Sequence, residues 1–437
     1  MKTINIGILG FGTVGTGVVK LFQRNAPLIE RRVGSGLCIK RIADLDIATP
    51  RPVDLDPSIL TDNAEEVIQD PSIHIVVELI GGIRAARDLC LGALSRGKHL
   101  VTANKALLAL HGRELYRAAI ENHVDLGFEA SVCGGIPLIK ALREGLVANR
   151  IMAIKGIING TCNYILTKMT EEGRNFHDVL TEAQAKGYAE ADPSLDVDGI
   201  DAAHKIQILA SLAYGSYIDF HEIYVEGIRG IEPIDIKFGS ELGYKLKLLA
   251  IAKEEDGELE VRVHPTFIPE DHLLSSVRGV YNAVYLVGDS VGSQMFYGRG
   301  AGQMPTASAV VSDVVEIAHN VLFKRPSRGL LLTPSLMEGS ELRMKEIRGI
   351  RSRYYLRVAA IDKPGVLSKI SGVLGSHNIS IASVIQKARH EQATVPVIMM
   401  THEAKEGNMQ EALKEIDRLD VVTEKTVCIR VDENGRE

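Results

Sequence analysis

Tryptophan is absent from this 437-residue chain and aromatic residues make up only 5 % of it, so aliphatic side chains must build the core. Positive charge is not in surplus: 50 Lys and Arg face 56 Asp and Glu, a net charge of −6. Binding to phosphate backbones needs a clustered basic surface, so nucleic acid is not an expected partner. No run of roughly 18 or more uncharged apolar residues occurs, and no membrane association is expected. The first residues, MKTINIGILGFGTVG, alternate like a strand and are broken by glycines, unlike a secretion signal. The five cysteines (Cys38, Cys90, Cys133, Cys162 and Cys428) are scattered and form no CxxC pair. That excludes a disulfide framework or zinc ribbon as the organising feature and points to a reducing, cytoplasmic setting.

What is present is an ordinary globular composition, 45 % hydrophobic and 24 % charged, on a length that suggests about three domains. Through residues 1–130 strand and helix patterns alternate. Ile4, Ile6 and Ile8 alternate before a glycine cluster, and Val14 to Ile29 has helical spacing. Leu37 to Ala43, Ile73 to Ile80, His99 to Ala103 and Val124 to Phe128 read as strands, with helices at 84–95 and 106–121. Repeated βα units predict an α/β fold whose first part is a Rossmann-type, doubly wound parallel sheet. Residues 131–304 change rhythm and read as an α+β domain. Helices are expected at 134–147, 162–172, 177–187 and 199–214, and strands at 151–158, 223–229, 245–252, 259–268 and 282–288. Asp256-Gly257 is a hairpin signal. Residues 305–320 form another amphipathic helix, and 323–350 read as a polar linker. Residues 351–430 then follow the order βαββαβ, the ferredoxin-like plan.

Gly10-Phe11-Gly12-Thr13-Val14-Gly15 fits GxGxxG between a strand and a helix. Gly10 permits the tight turn, Gly12 lets a pyrophosphate approach the backbone, and Gly15 lets helix and strand pack closely. The helix N-terminus adds amide donors and partial positive charge. The second strand ends at Asp44, where an acid bonds the ribose 2′-hydroxyl and favours NAD. Asp44 lies 29 residues past Gly15, a long spacing that the insert Arg31 to Gly36 accounts for. Arg41 and Arg51 are close enough in sequence to meet a 2′-phosphate instead, so NADP and NAD both remain open.

Residues 188–206 read YAEADPSLDVDGIDAAHKI, with Glu190, Asp192, Asp196, Asp198 and Asp201 within twelve positions. Asp201 and Lys205 are four apart on a predicted helix, at the end of an apolar stripe through Ile208 and Leu212. That placement predicts partial burial of the pair and a lysine suited to proton transfer. A plain surface ion pair fits the same spacing. The remaining carboxylates suit a substrate that carries an ammonium group.

Together with Thr102-Ala103-Asn104-Lys105, Asn159-Gly160-Thr161 and Tyr297-Gly298-Arg299-Gly300-Ala301-Gly302, these residues make the chain resemble homoserine dehydrogenase over about residues 4–322. The tail Asp362-Lys363-Pro364-Gly365-Val366-Leu367 looks like an ACT regulatory module. The resemblance implies NADPH- or NADH-dependent reduction of aspartate 4-semialdehyde to homoserine, on the route to threonine, methionine and isoleucine. It implies Lys205 as proton donor, Lys105 as a second lysine near nicotinamide and substrate, and Asp201 as a further acid of the site. Glu190 would hold the homoserine amino group, with Gly160 and Thr161 also at the substrate. Gly10, Phe11, Gly12, Thr13, Val14, Gly15, Asp44, Thr102, Lys105 and Gly302 would meet the cofactor. Glu129, Val132, Gly134 and Ile136 match a monovalent cation site (Na+ or K+) built largely from backbone carbonyls.

The same resemblance makes 131–304 the catalytic and dimerisation domain of a homodimer or homotetramer, with 305–322 packing back on the nucleotide domain. It makes 351–430 a module that binds an amino-acid effector, threonine. There Asp362 is a candidate helix cap, and Asn378 a candidate polar contact. Arg299 departs from the family, which has proline there, and adds charge and flexibility to the second glycine loop. Two other readings share the motifs: another amino-acid dehydrogenase on this scaffold, and a non-catalytic amino-acid sensor.

Overall fold

The computed structural model describes residues 3–325, 342–386 and 394–433; most of the expected linker, 326–341, lies outside them. The chain divides into two compact units. The first comprises Met1–Ile158, Asp201–His221 and Tyr281–Leu342; the second comprises Asn159–Ile200, Glu222–Val280 and Arg343–Glu437.

Apolar alternation in the first unit yields β1 (Ile4–Leu9), and its glycine cluster leads into α1 (Thr13–Val33). The series continues with β2 (Leu37–Ala43), β3 (Leu60–Thr61), α2 (Ala64–Gln69), β4 (Ile75–Glu78), α3 (Arg84–Ser95), β5 (His99–Thr102), α4 (Lys105–Glu121) and β6 (Leu126–Gly127). The strands form one sheet in the order β3-β2-β1-β4-β5-β6, and every pairing is parallel. This is the doubly wound order, whose ligand crevice opens where β1 and β4 part. The long spacing before Asp44 comes from α1 itself. It runs 21 residues, kinks at Asn25 ahead of Pro27, and ends at left-handed Gly34. Proline removes an amide and crowds the preceding turn, which accounts for the kink.

Helix Gln303–Leu322 lies against α1 in the same core. Its Ala307, Val310, Val314 and Ile317 are buried with Val18, Val19, Ile6 and Ile8. Full burial of each Val or Ile among them contributes about 1.5–3 kcal/mol. The two helices approach closely because residue 17 is glycine: a Cβ there would lie 2.8 Å from Gln303 and 3.2 Å from Ala307. The unit also holds an antiparallel set in which Tyr281–Gly288 pairs with both Ile151–Ile157 and Gly292–Arg299. The continuous helix expected at 134–147 is not formed. Only Leu138–Lys140 is α-helical, followed by a π turn at Ala141–Gly145. Cys133 and Gly134 have positive φ (53° and 46°), and Pro137 disfavours the helical region for the residue before it, so the helix begins only after the proline.

In the second unit, strands Tyr244–Glu255 and Glu258–Pro269 form a hairpin. It turns at Asp256 (φ 54°) and Gly257 (φ 76°), the two positive angles that a two-residue I′ turn requires. The βαββαβ module follows as Arg351–Ile361, Val366–Ser376, Ile381–Ile385, Thr394–Thr401, Glu406–Ile416 and Val427–Val431. Its last strand pairs in parallel with Glu258–Pro269, matching Thr266 to Arg430, so one sheet runs from the hairpin into the module. The expected cap Asp362 does not cap the module's first helix. Gly365, with φ 90°, is the N-cap, because the turn there needs a left-handed residue. Among the described residues no helix is long and apolar enough to cross a membrane.

Candidate active site

The glycine loop crosses the C-terminal end of β1. Gly10 has φ 100°, and a Cβ on it would lie 2.6 Å from the Leu79 backbone. A Cβ on Gly15 would lie 2.2 Å from the Gly10 carbonyl, while one on Gly12 would meet nothing within 4 Å. Two glycines are thus demanded by packing, and the third keeps a face of the loop open. No side chain caps α1, so its first-turn amides remain for an anion. This open loop fits a dinucleotide pyrophosphate. Phe11 is buried, Thr13 exposed and Val14 half-buried. The Gln303 side-chain amide donates to the Thr13 carbonyl at 3.0 Å. Gln303 follows Gly302, the N-cap of its helix at φ 114°.

Asp44 and Arg51, read from the sequence as alternatives, stand together. Asp44 accepts from the Phe11 amide at 2.5 Å and from the Asp46 amide at 2.9 Å. The Arg51 guanidinium is 4.0 Å from Asp44, donates to the Phe11 carbonyl at 3.2 Å and lies over the Phe11 ring. Arg41 turns instead to Glu66 and the Ser58 carbonyl.

Asp201, in the first turn of helix Ile200–Tyr214, joins two lysines. Its Oδ2 is 2.7 Å from Lys205 Nζ, and its Oδ1 is 3.1 Å from Lys105 Nζ. Lys205 also donates to the Ile158 carbonyl at 2.8 Å. The Asp201 and Lys205 side chains are only 8 % and 11 % exposed, whereas Lys105 is 40 % exposed. The surface ion pair is therefore excluded: this carboxylate is buried, and one of its lysines reaches solvent. Lys105 opens α4, whose N-cap Asn104 accepts from the Leu107 amide. Thr102 is fully buried and gives its hydroxyl to Glu78 at 2.6 Å, so its own side chain presents no surface to a cofactor. Burial also holds His204, the residue before Lys205, below its usual pKa.

Glu129 is buried. Its carboxylate accepts from the Ile139 and Lys140 amides at 2.9 and 2.8 Å, and its own amide donates to Asp313. Burial and the neighbouring Asp313 push its carboxyl up to about 7. Gly134 and Ile136 lie on the tight turn closed by the Ile136 amide on the Cys133 carbonyl at 3.0 Å, and Val132 immediately precedes it. A Cβ on Gly134 would lie 2.7 Å from the Gly300 carbonyl of the second glycine loop. Arg299 in that loop lies over Tyr281, and its carbonyl accepts from the Gly135 amide. Among the described residues no three His, Cys, Asp or Glu side chains gather as a metal site.

The second unit carries Gly160, Thr161 and Glu190. Gly160 opens helix Gly160–Glu172, capped by Asn159, and the Thr161 hydroxyl donates to the Tyr188 carbonyl at 2.8 Å. Glu190 is exposed, and Gln184 holds its backbone. The acidic run is split. Asp192 bonds the Ser194 amide, Asp196 takes the Asn159 side chain and Asp198 pairs with Arg229. Sequence reasoning passed over Glu78. Its one signal was an acid inside the apolar run Ile73 to Ile80.

A glycine loop at the switch point of a doubly wound sheet, with lysines gathered on a buried acid, is the arrangement of a nicotinamide-nucleotide oxidoreductase. Family models for homoserine dehydrogenase match residues 137–315, those for its NAD-binding domain residues 10–129, and those for the ACT domain residues 354–421. The chain belongs to the homoserine dehydrogenase family. The homoserine dehydrogenase of Pseudomonas aeruginosa is 46 % identical over 437 residues, covering 99 % of this chain and 100 % of its own. That of Bacillus subtilis is 41 % identical over 438 residues, covering 100 % of both. The solved homoserine dehydrogenase from Thiobacillus denitrificans is 44 % identical with a TM-score of 0.92, covering 100 % of this chain and 99 % of its own. A hyperthermophilic archaeal homoserine dehydrogenase solved in complex with NADPH is 28 % identical with a TM-score of 0.62, covering 74 % of this chain and 99 % of its own. The reaction is NAD(P)H-dependent reduction of L-aspartate 4-semialdehyde to L-homoserine, an oxidoreduction at a CH–OH group.

Proposed function

We propose that Lys205 gives a proton to the carbonyl oxygen during reduction and takes it back during homoserine oxidation. The observation that carries this reading is the single buried carboxylate of Asp201 held by both Lys205 and Lys105. A nicotinamide supplies or accepts the hydride when bound. The protein's part is to hold charge where it develops. The Asp201 carboxylate and the Ile158 carbonyl orient the Lys205 ammonium, and Lys105 adds a second positive charge that stabilises a forming alkoxide. Glu190 binds the substrate ammonium, with Gly160 and Thr161 at the same ligand. Gly10, Phe11, Gly12, Thr13, Val14, Gly15 and Gly302 meet the dinucleotide through backbone and loop surface, and Asp44 with Arg51 meets its ribose. NADP is the preferred form, on the family resemblance.

A monovalent cation is held by carbonyls of Glu129, Val132, Gly134 and Ile136, whose turn packs on the second glycine loop. Threonine binds the module at 351–430, and the enzyme is a homodimer or homotetramer working in the cytoplasm. Steady-state homoserine oxidation tests the core of this reading. Lys205→Ala should lose turnover on the order of 10²-fold with a smaller change in KM. Glu190→Ala should chiefly raise the KM for homoserine. Near-normal turnover in the first variant overturns the proton role, and an unchanged KM in the second removes Glu190 from the substrate.

A further inference from the structure

We infer that Glu78 is the positioning residue for Lys105, acting through Thr102 and Asn104. The inference rests on the proposed role of Lys105.

Glu78 ends β4, in register with Leu9 of β1 on one side and Thr102 of β5 on the other. Its side chain is fully buried at the crevice end of the sheet. A carboxylate in such a place is costly unless donors surround it. Here three converge. The Ile80 and Gly81 amides reach Oε1 at 3.0 and 3.3 Å, and the Thr102 hydroxyl reaches Oε2 at 2.6 Å. Burial pushes the carboxyl above its usual range, and the bonds from these three donors and from the Asn104 side chain oppose the rise.

The chain of bonds continues without a gap. Thr102 Oγ1 accepts from the Asn104 amide at 3.0 Å. The Asn104 side chain donates to the Gly82 carbonyl at 2.7 Å and accepts from the Leu107 amide at 3.1 Å. Asn104 is thereby the N-cap of α4, and Lys105 is that helix's first residue. Glu78 thus ties the loop after β4 to the turn after β5, and the far end of the tie is the lysine on Asp201. A buried ionisable group kept for packing alone is often no better than an apolar residue, so the bonds that Glu78 makes are the reason for it here.

Glutamine at position 78 keeps the shape but reverses one end. Its amide hydrogens would face either the two backbone amides, which breaks their bonds, or the Thr102 hydroxyl, which must then accept and turn its own hydrogen away, so the tie is broken or reversed at one end. A shift of about 1 Å at a reacting group can cost 10²-fold, and a partial shift about 10-fold. The experiment is steady-state homoserine oxidation by the full chain for E78Q, T102V, T102S, K105A and E78Q/K105A. E78Q and T102V should each lose about 10-fold or more in kcat, and T102S should stay within about twofold of the parent. In the K105A background E78Q should cost less than about twofold more, because both act through one group.

The inference is overturned if the double variant shows the full product of the two single losses. It is also overturned if E78Q or T102V lowers only thermal stability and leaves kcat and KM unchanged. Should E78Q fail to fold, the T102V and T102S pair decides by the same criteria. A K105A enzyme with near-normal turnover overturns the role of Lys105 itself. An impaired K105A enzyme in which E78Q adds its full cost overturns only the link from Glu78.

Discussion

Arg430 forks onto Glu406: its Nε donates at 2.9 Å and its Nη2 at 2.7 Å to the two carboxylate oxygens, with both side chains buried. The third guanidinium nitrogen reaches Glu226 at 2.8 Å, and the guanidinium lies over the Tyr224 ring. Arg430 sits on the strand that pairs with Glu258–Pro269, so the ACT module contributes both a strand and a buried cation to the second unit.

Arg430→Met should therefore destabilise the whole second unit, not the module alone. Leaving the Glu406 carboxylate buried without its partner costs about 3–5 kcal/mol. Thermal unfolding should show a clear fall in Tm, and Arg430→Lys a smaller one, since lysine keeps the charge but not the fork. A Met variant as stable as the parent would mean that the fork adds nothing net.

On the proposed reading, Asp44 and Arg51 make opposite demands on the ribose of the cofactor. Arg51→Ala should lower kcat/KM with NADP more than with NAD, because it removes the cation for a 2′-phosphate. Asp44→Ala should do the reverse, and should also loosen the Phe11 amide that the carboxylate holds. A cofactor ratio moved by neither variant places the ribose elsewhere.

Lys247 is buried, with its ammonium on the Val277 carbonyl at 2.5 Å and Asn163 at 3.3 Å. Burial pushes its pKa down to about 8 from the ordinary 10.5. Between those values the unfolded chain holds a proton that the native amine has given up, so this lysine's contribution to stability grows as pH rises through the window. Lys247→Met lacks that dependence. The parent should gain on the variant in Tm from about pH 8 to about pH 10.5, with a flat difference below the window. A difference that stays constant throughout means the amine is charged in both states.

Threonine should raise the KM for homoserine of the full chain to a ceiling, set by a coupling of roughly 1–3 kcal/mol between the sites. A KM that keeps rising in proportion to threonine puts threonine in the active site. Cutting the chain near residue 345 is a poor test, because it strips strand Val427–Val431 from Glu258–Pro269.

Much of this protein is written in local pattern. The alternation of Ile4, Ile6 and Ile8, the GxGxxG loop, the Asp256-Gly257 turn and the βαββαβ tail are set by periodicity and turn chemistry. Both act over a few residues, so the sequence alone determined the Rossmann sheet, the hairpin and the C-terminal module. The i,i+4 spacing of Asp201 and Lys205 was legible for the same reason. Their burial was decided by the fold, as was the arrival of Lys105 from another helix on the second carboxylate oxygen. Glu78 was hidden because an apolar run reads as a buried strand whatever acid sits inside it. Only the neighbouring strand, which brings Thr102 alongside, reveals what that carboxylate holds. The helix Pro233–Glu241 was missed although proline at its first turn signalled it, and the stop at Gly134 depended on a backbone turn packed against Gly300. Local chemistry specifies elements; which charges share a dry site depends on contacts between residues far apart in the chain, and those exist only once the chain has folded.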